Sequence, residues 1–519
     1  MSTQDAEPIV MTALGKVQGT WQDGVAAFRG IPFAAPPIGP LRFAPPAPAQ
    51  RWQGIRSAEY QATAFPQPPS RGELAMGPMD VPGYDEGSLT LNVWTPSPNT
   101  TDQLPVLVWF HGGGFLFGSG SASWYDGSVM ARRGRIVVVS VNYRLGALGW
   151  LYFSAGILGP KAVANLGLQD QCQALEWVRE NITAFGGNPD TVTIAGQSAG
   201  GLSVGALHAM PRASGLFRRA IVQSAGPGVP AHSVEEGEQI THLFCGAAGV
   251  TGRGLLDLSV DAILKAQNQT LLHVGREAGY DPRLTPSLAM IFQFVVDGEV
   301  LPIDPVEAAW KGSMDQSDLM MMCASEEMRF AAAFDEMWWQ RDRSAVVEQL
   351  KAAWKGESVS LFERYAALDP HGSPPEILSR MITDRTCIVP SIKLAERRAA
   401  IGKPAYFAWF TWWSPAAKGR LGPCHSIELP FVFNNIEESW SKAPMLAGSD
   451  PATLQALANT VQDAWIAFVT NGNPGKTWPA YTQPEKWAME FGSSVGVIHD
   501  PAGDRRALWE TNPDREQTA

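Results

Sequence analysis

The segment at residues 191–201 places the tightest constraint on the fold, because it joins a β-branched run to a predicted helix through Gly-Gln-Ser-Ala-Gly at residues 196–200. A G-x-S-x-G turn between a strand and a helix holds its serine hydroxyl out for attack. The pattern occurs twice more, at residues 201–205 and 492–496. The first of these lies within the helix that the turn would open, and the second lies between apolar residues typical of a turn between strands. We therefore predict Ser198 as a nucleophile.

Buried strands alternate with helical segments on both sides of this turn. Residues 136–141 are nearly all β-branched, as expected for a strand whose two faces are covered. Residues 168–182 show helical periodicity, and residues 451–471 form an amphipathic helix. This alternation predicts an α/β fold with a central, mostly parallel sheet and helices on both faces. The other predicted strands are residues 89–94, 105–110, 192–195, 220–224, 319–324 and 405–413.

The 519 residues are expected to form a single domain over residues 1–519, because no repeat or low-complexity linker divides them. Short apolar runs separated by glycines predict a small antiparallel sheet at about residues 8–35. Lid or cap insertions are expected at about residues 36–85, which are rich in proline and glycine, and at residues 231–400, which are mixed and then helix-rich.

Composition excludes several classes of partner. A net charge of −11 gives no footprint for nucleic acid or for an anionic membrane surface. The five cysteines are scattered and form no C-x-x-C pair, which indicates reduced thiols rather than a disulfide framework.

The N-terminus lacks the features of a signal peptide, and no continuous apolar run reaches the roughly 20 residues that a spanning helix needs, so we expect a cytoplasmic protein. No histidine pair has metal-ligand spacing and no dinucleotide fingerprint occurs, so we expect neither a metal nor a cofactor. The sequence does not determine an oligomeric state.

A serine hydroxyl needs a base to take its proton, so one of the eight histidines must lie beside Ser198. His208 is excluded, because it lies farther along the predicted helix at a distance of about 15 Å. His425 lies in a loop after an aromatic strand, and loops beyond strand ends carry functional groups in α/β sheets. We predict His425 as the base, with an ordinary loop histidine as the alternative.

The histidine in turn needs a carboxylate that fixes its tautomer, and the order Ser, Asp or Glu, His is expected in this kind of fold. Glu326 and Glu327 follow the predicted strand at residues 319–324. Either glutamate can fill this role, while the other is a solvated residue that opens a helix. Spacing alone does not separate them.

A second half of the site is predicted upstream, where His-Gly-Gly-Gly-Phe at residues 111–115 follows the strand at residues 105–110. Glycines let main-chain N–H groups approach a substrate closely, and such donors stabilise the oxyanion of a tetrahedral intermediate. The remaining donor is predicted to be the N–H of Ala199, which opens the nucleophile helix. A plain flexible glycine loop is the alternative.

Together these motifs resemble the type-B carboxylesterases, an α/β-hydrolase group that includes bacterial p-nitrobenzyl esterases, mammalian carboxylesterases and cholinesterases. The similarity covers most of the chain. It implies an α/β-hydrolase fold and a serine hydrolase that cleaves small-molecule carboxylic esters through an acyl-enzyme. Besides the two motifs above, it rests on residues 28–34, 89–94, 141–146, 165–171, 185–189 and 425–433.

The resemblance also assigns roles that spacing could not. It implies that Glu327 is the acid, and it supports His425 as the base. Residues 86–88 read Glu-Gly-Ser where many relatives have Glu-Asp-Cys, so the disulfide of those relatives is absent. The oxyanion hole implied by the resemblance consists of the N–H groups of Gly113, Gly114 and Ala199.

Other positions bear on specificity. Gln197 precedes the nucleophile where cholinesterases have a glutamate, which argues against choline esters. Met328 replaces a glycine that often follows the acid. Ser224 matches a family serine near the triad and is expected to act only indirectly. Phe115 and Phe330 are candidates for the wall of an apolar pocket, with ordinary core packing as the alternative.

The expected substrate is an apolar or bulky carboxylic ester, because the glycine-rich loop resembles that of esterases that accept bulky alcohols. Two alternatives remain open at this point. One is an amidase or carbamate hydrolase with the same triad. The other is a catalytically inactive relative used in binding or adhesion, against which an intact Ser198, His425 and glycine loop argue.

Overall fold

The computed structural model describes residues 6–70, 72–277, 290–354 and 358–510. Its strands form an 11-stranded sheet and a separate 3-stranded sheet. They are β1 (Ile9–Thr12), β2 (Gly15–Gln18), β3 (Thr20–Gln22), β4 (Val25–Pro32), β5 (Ile55–Ser57), β6 (Thr90–Thr95), β7 (Leu104–Phe110), β8 (Val137–Val141), β9 (Gly187–Gln197), β10 (Arg219–Gln223), β11 (Asp318–Ala324), β12 (Ala405–Phe410), β13 (Trp487–Phe491) and β14 (Val495–His499).

The large sheet runs in the order β14-β13-β12-β11-β10-β9-β7-β8-β6-β4-β3. Its middle, from β13 to β8, consists of parallel pairs, and its two ends are antiparallel. β8 and β10 are buried along their whole length, which is typical of parallel strands covered on both faces. The predicted central, mostly parallel sheet is therefore confirmed.

The small sheet corrects the prediction of an antiparallel sheet over about residues 8–35. It contains only β1 and β2 from that range, together with β5 from the loop that follows. β3 and β4 instead extend the edge of the large sheet, where β4 pairs with β6. Burial explains the difference, because β1 alternates between exposed and buried residues, whereas the first four residues of β4 are all buried.

The described residues contain helices on both faces of the large sheet, together with others that pack on one another in a separate core. They are α1 (Glu73–Met76), α2 (Ser128–Gly134), α3 (Gly146–Trp150), α4 (Leu166–Asn181), α5 (Ala199–Ala209), α6 (Val234–Ala248), α7 (Val260–Glu277), α8 (Pro305–Trp310), α9 (Arg329–Ala332), α10 (Glu336–Trp339), α11 (Arg343–Ala353), α12 (Ser358–Leu368), α13 (Pro374–Thr383), α14 (Val389–Ala400), α15 (Leu429–Phe433), α16 (Pro451–Asn471) and α17 (Gly503–Glu510).

Strand β7 shows how the sheet separates two hydrophobic cores. Val106, Val108 and Phe110 enter one core, whereas Leu107 and Trp109 enter the other, because successive side chains of a strand point to opposite faces. Helices α4 and α5 contribute to the first core and α16 to the second. The helices predicted at residues 168–182 and 451–471 are thus present as α4 and α16.

The predicted insertions are mostly loop and helix. Residues 36–85 contain β5 and α1. Within residues 231–400, α6 to α8 precede β11, which returns to the large sheet, and α9 to α14 follow it. Residues 278–289 and 355–357 of this range lie outside the described residues. Among the helices that the structure describes, none is long and apolar enough to cross a bilayer.

Candidate active site

The nucleophile turn lies between the end of β9 and the start of α5. Ser198 has φ 57° and ψ −126°, a conformation that residues other than glycine rarely adopt. Its N–H donates to the main-chain oxygen of Gln223 at 2.9 Å, which helps to hold the turn. A Cβ on Gly200 would lie 2.0 Å from the main-chain oxygen of Phe110, so only glycine fits there. The other two matches to the pattern lie inside α5 and at the β13–β14 turn, as predicted.

His425 forms a short hydrogen bond with Glu327, in which Nδ1 lies 2.6 Å from Oε2. The other carboxylate oxygen, Oε1, accepts the N–H of Ala324 at 2.7 Å. With its proton on Nδ1, His425 presents a lone pair on Nε2, as a general base must. Burial opposes the charged imidazolium, but the charge and hydrogen bond of Glu327 outweigh burial, so the pKa of His425 is raised.

The structure separates the two adjacent glutamates that spacing left as alternatives. Glu327 reaches His425, whereas Glu326 contacts two arginines. Oε1 of Glu326 lies 2.8 Å from Nε of Arg380, and Oε2 lies 3.3 Å from Nε of Arg329. Glu326 is buried and paired, so it is not the solvated helix-opening residue of the alternative.

The glycine loop follows β7 and lies against the nucleophile turn. A Cβ on Gly112 would be only 3.1 Å from the Cβ of Ser198. Gly113 and Gly114 have φ 118° and 63°, and a Cβ on Gly113 would lie 2.2 Å from a main-chain oxygen. Ala199 is the first residue of α5, so its N–H has no acceptor within that helix. The three predicted oxyanion donors therefore belong to two segments in close contact.

His111 anchors the glycine loop as an uncharged ring. It is buried, and it stacks on Tyr143 with the ring centroids 4.3 Å apart. The hydroxyl of Tyr143 donates to the main-chain oxygen of His111 at 2.7 Å. Burial lowers the pKa of His111 to about 4, so the ring stays neutral at neutral pH.

Gln197 contacts the base directly. Its side-chain nitrogen lies 3.1 Å from Nε2 of His425, which accepts the N–H when Nδ1 carries the ring proton. A Cβ on Gly112 would lie 2.5 Å from Oε1 of Gln197, so the same carboxamide also packs against the glycine loop. With that tautomer, the Gln197 amide donates to the lone pair on Nε2 of His425.

The remaining predicted residues lie at different distances from the base. The ring of Phe330 is 6.1 Å from that of His425 in an edge-on arrangement. Phe115 is fully buried and packs on Trp150 at 4.2 Å, so it belongs to the core. Ser224 is buried, and its hydroxyl has no hydrogen-bond partner among the described residues.

Glu428 is a buried carboxyl group at this site that was not predicted from the sequence. Its Oε1 accepts from the side-chain amide of Gln223 at 2.9 Å, and that amide's oxygen accepts from Trp465 at 2.8 Å. Burial, followed by the charge of Glu327, raises the pKa of Glu428 to about 7. The available signal was a lone glutamate within the apolar run at residues 427–433.

All five cysteines lie within the described residues and are free thiols. Across the same residues, no group of three or more His, Cys, Asp or Glu side chains is arranged to hold a metal ion.

Comparison with known proteins gives matches over nearly the whole chain. The carboxylesterase family model matches residues 6–509. Para-nitrobenzyl esterase of Bacillus subtilis (strain 168) is 34% identical over 508 residues, which are 96% of this chain and 97% of that protein. Phenmedipham hydrolase of Pseudarthrobacter oxydans is 34% identical over 498 residues, with 95% and 96% covered. A crystal structure of a Geobacillus stearothermophilus carboxylesterase superposes with a TM-score of 0.83 at 33% identity, covering 96% of this chain and 99% of that one.

Proposed function

Because the chain belongs to the carboxylesterase family, we propose that Ser198, His425 and Glu327 form the triad of this carboxylesterase, a serine hydrolase of ester bonds. The observation that supports the triad best is the 2.6 Å hydrogen bond between His425 and Glu327. It leaves Nε2 as the basic nitrogen, and Gln197, the neighbour of Ser198, contacts that nitrogen. His425 therefore contacts the residue that precedes Ser198 in the chain.

In the proposed reaction the oxygen of Ser198 attacks the ester carbonyl while Nε2 of His425 takes its proton. The Nε2 atom exchanges its contact with Gln197 for one with the serine when substrate binds. Catalytic hydrogen bonds often tighten only in the substrate complex, so the resting contact with Gln197 is compatible with this role. The imidazolium then protonates the leaving alcohol, while Glu327 stabilises its charge.

The negative oxygen of the tetrahedral intermediate would be bound by main-chain N–H groups of Gly113, Gly114 and Ala199. Donors fixed before the reaction stabilise developing charge without reorganisation, and removing one such donor typically costs about 10²–10³ in kcat. Water then repeats the sequence on the acyl-enzyme, which releases the acid and restores the hydroxyl of Ser198.

We propose that the substrates are carboxylic esters with apolar or bulky groups. The names of the relatives support this choice, since they include a para-nitrobenzyl esterase, a fumonisin B1 esterase and a cocaine esterase. In this chain the ring of Phe330 lies beside His425 and offers an apolar surface at the base. The side chain of Gln197 is a neutral amide, so a quaternary ammonium group would find no carboxylate at that position.

The test of the reaction is a series of p-nitrophenyl esters of increasing acyl length, assayed with the parent enzyme and with Ser198→Ala. We expect the substitution to abolish turnover, with a loss in kcat on the order of 10⁶. A fluorophosphonate label should modify Ser198 in the parent at one site per chain. Unchanged turnover in Ser198→Ala, or a label on another residue, would contradict the proposed nucleophile.

An amidase or carbamate hydrolase with the same triad is distinguished by its preferred bond. Matched ester, amide and carbamate substrates with the same acyl group would be compared by kcat/KM. We expect the ester to be cleaved fastest, and a higher kcat/KM on the amide or carbamate would overturn the ester preference.

We further propose that the enzyme works in the cytoplasm. The five free thiols support this location, because thiols persist in reducing compartments. Fractionation of the source cells with an antibody against the chain tests it, and recovery of the chain outside the cells would overturn it.

A further inference from the structure

Glu326 carries a buried carboxylate that the proposed reaction does not use. Only 9% of its side chain is exposed, and an arginine flanks each oxygen: Arg380 on Oε1 and Arg329 on Oε2. A carboxylate withdrawn from water and held by two cations is strongly restrained, because any displacement leaves an unpaired charge in a poorly solvated place.

The two arginines are themselves fixed. Arg380 projects from α13, in the helical segment that follows β11. The side chain of Arg329 is 4% exposed and donates to Glu376 on α13 at 3.1 Å. Its guanidinium also lies 5.5 Å from the ring centre of Trp339 and 5.1 Å from that of Trp413. Arg380 and Arg329 are thus fixed by the fold, and a displacement of Glu326 would break its ion pairs with them.

Residues 325–328, named here the acid loop, are joined to the loop that carries the base. The N–H of Glu326 donates to the main-chain oxygen of Pro423 at 3.1 Å, and the N–H of His425 donates to that of Glu327 at 3.0 Å. These two bonds flank the side-chain contact between Glu327 and His425. A shift of the acid loop would therefore change the geometry of that contact directly.

A second tie joins the acid loop to the same helix. The N–H of Met328 donates to the hydroxyl of Thr383, the last residue of α13, at 3.2 Å. Thr383 is fully buried. With the Glu326–Arg380 pair, the acid loop is thus held to α13 on both sides of Glu327.

We propose that Glu326 is a positioning residue of the active site, which acts through Glu327 by fixing the acid loop to Arg380 and Arg329. The inference rests on the proposed triad and deepens it. The two adjacent glutamates then have different roles: Glu327 bonds to His425, and Glu326 holds Glu327 in place. Positioning of this kind affects rate strongly, because a misplacement of about 1 Å in a catalytic group can cost roughly 100-fold.

The alternative is that the ion pairs of Glu326 only stabilise the fold. The pair between Asp315 and Arg397 provides a matched control, because it joins α14 to the segment before β11 and has similar burial. Its side chains are 15% and 25% exposed, against 9% and 22% for Glu326 and Arg380. Among the described residues, the side chain of Arg397 bonds to Asp315 and to the main-chain oxygen of Trp310, and neither partner belongs to the acid loop or the loop of His425.

The experiment measures kcat, KM and the pH profile of kcat for Glu326→Gln, Arg380→Gln, Arg380→Lys and the control Arg397→Gln in the full chain. Rates are expressed per nucleophile, counted by stoichiometric fluorophosphonate labelling, and circular dichroism follows thermal unfolding. We expect Glu326→Gln and Arg380→Gln to lower kcat roughly 10- to 100-fold with KM within about twofold. Arg380→Lys keeps the charge without the guanidinium geometry, so it should recover part of the loss.

The pH profile separates positioning from general stability. Because Glu327 raises the pKa of His425, a loosened contact should move the acid limb of kcat to lower pH. Arg397→Gln should leave both kcat per nucleophile and the acid limb unchanged. The inference is overturned if the Glu326 and Arg380 variants lose thermal stability but keep the parent's kcat per nucleophile and acid limb. Failure of the proposed triad itself would show separately, as residual turnover in Ser198→Ala.

Discussion

Replacing Glu327 by glutamine tests the acid of the triad, because the change removes one charge without changing the size of the side chain. In the parent, Oε1 accepts the N–H of Ala324 at 2.7 Å and Oε2 faces Nδ1 of His425 at 2.6 Å. A carboxamide has one acceptor and one donor. Its oxygen must face Ala324, so its NH₂ group faces His425.

The consequence is a change of tautomer. Nδ1 of His425 must accept a hydrogen bond from the NH₂ group, so the ring proton moves to Nε2 and the base loses its lone pair. Turning the amide would restore the tautomer but leave the N–H of Ala324 unpaired, at a cost of about 1–3 kcal/mol. The variant also lacks the charge that stabilises the imidazolium. Together these effects should lower kcat on the order of 10⁴-fold, which corresponds to about 5.4 kcal/mol.

The assay is steady-state hydrolysis of a p-nitrophenyl ester, with rates expressed per labelled Ser198 and Glu326→Gln as the matched neighbour. Both substitutions remove a glutamate charge from the same loop, so the comparison isolates the contact with His425. We expect the loss in kcat for Glu327→Gln to exceed the loss in kcat for Glu326→Gln by at least about 100-fold. A kcat for Glu327→Gln within about tenfold of the parent would refute the assigned role of Glu327.

Two further substitutions probe the packing around the site. Gly200→Ala places a Cβ 2.0 Å from the main-chain oxygen of Phe110. We therefore expect the free energy of unfolding, measured in urea, to fall by about 1–3 kcal/mol. Stability equal to that of the parent would contradict the tight turn. Glu428→Gln should alter the pH dependence of stability. The folded-state pKa of Glu428 is raised to about 7, so its contribution is present at low pH and is lost as pH rises through that value. Relative to the parent, the free energy of unfolding of the variant should rise by roughly 1–3 kcal/mol between pH 5 and 8. A difference from the parent that stays constant with pH in urea unfolding would contradict the raised pKa.

The parts of the proposed site that a local sequence pattern predicts are contiguous. The turn at Ser198 and the loop at residues 111–115 each lie directly after a buried strand, so a short pattern contains both the chemistry and the local geometry that it needs. The central sheet was predicted for the same reason, since runs of β-branched residues identify strands covered on both faces without knowledge of their neighbours.

The parts that the sequence left open depend on contacts between distant segments. Spacing leaves the adjacent Glu326 and Glu327 as alternatives, and only the family resemblance implied Glu327; in the structure their contacts with Arg380 and His425 distinguish them. Glu428 follows the base by three residues, but its role in the site depends on Gln223 and the burial that the fold imposes. The error in the small sheet has the same origin, because β4 pairs with β6 across the long loop between them.

The topology of the sheet explains why three segments so far apart in the sequence lie at one edge of it. Ser198 follows β9, Glu327 follows β11 and the loop that carries His425 follows β12, and these strands lie in the order β9-β10-β11-β12. The carboxyl ends of parallel strands meet at one edge of a sheet, so their loops converge there. The main-chain bonds between the acid loop and the loop of His425 hold Glu327 and His425, the proposed acid and base, beside each other.

The contact between His425 and the nucleophile turn is made by Gln197. In the resting structure Nε2 of His425 is occupied by the amide of Gln197, whereas its Nδ1 is already bonded to Glu327. Under the proposed mechanism only the hydrogen bond of Nε2 has to change when substrate binds, and the neutral amide of Gln197 is a weaker partner than a carboxylate would be. Under the same proposal, a glutamine before Ser198 leaves the proposed base bonded before substrate binds yet free to turn to Ser198.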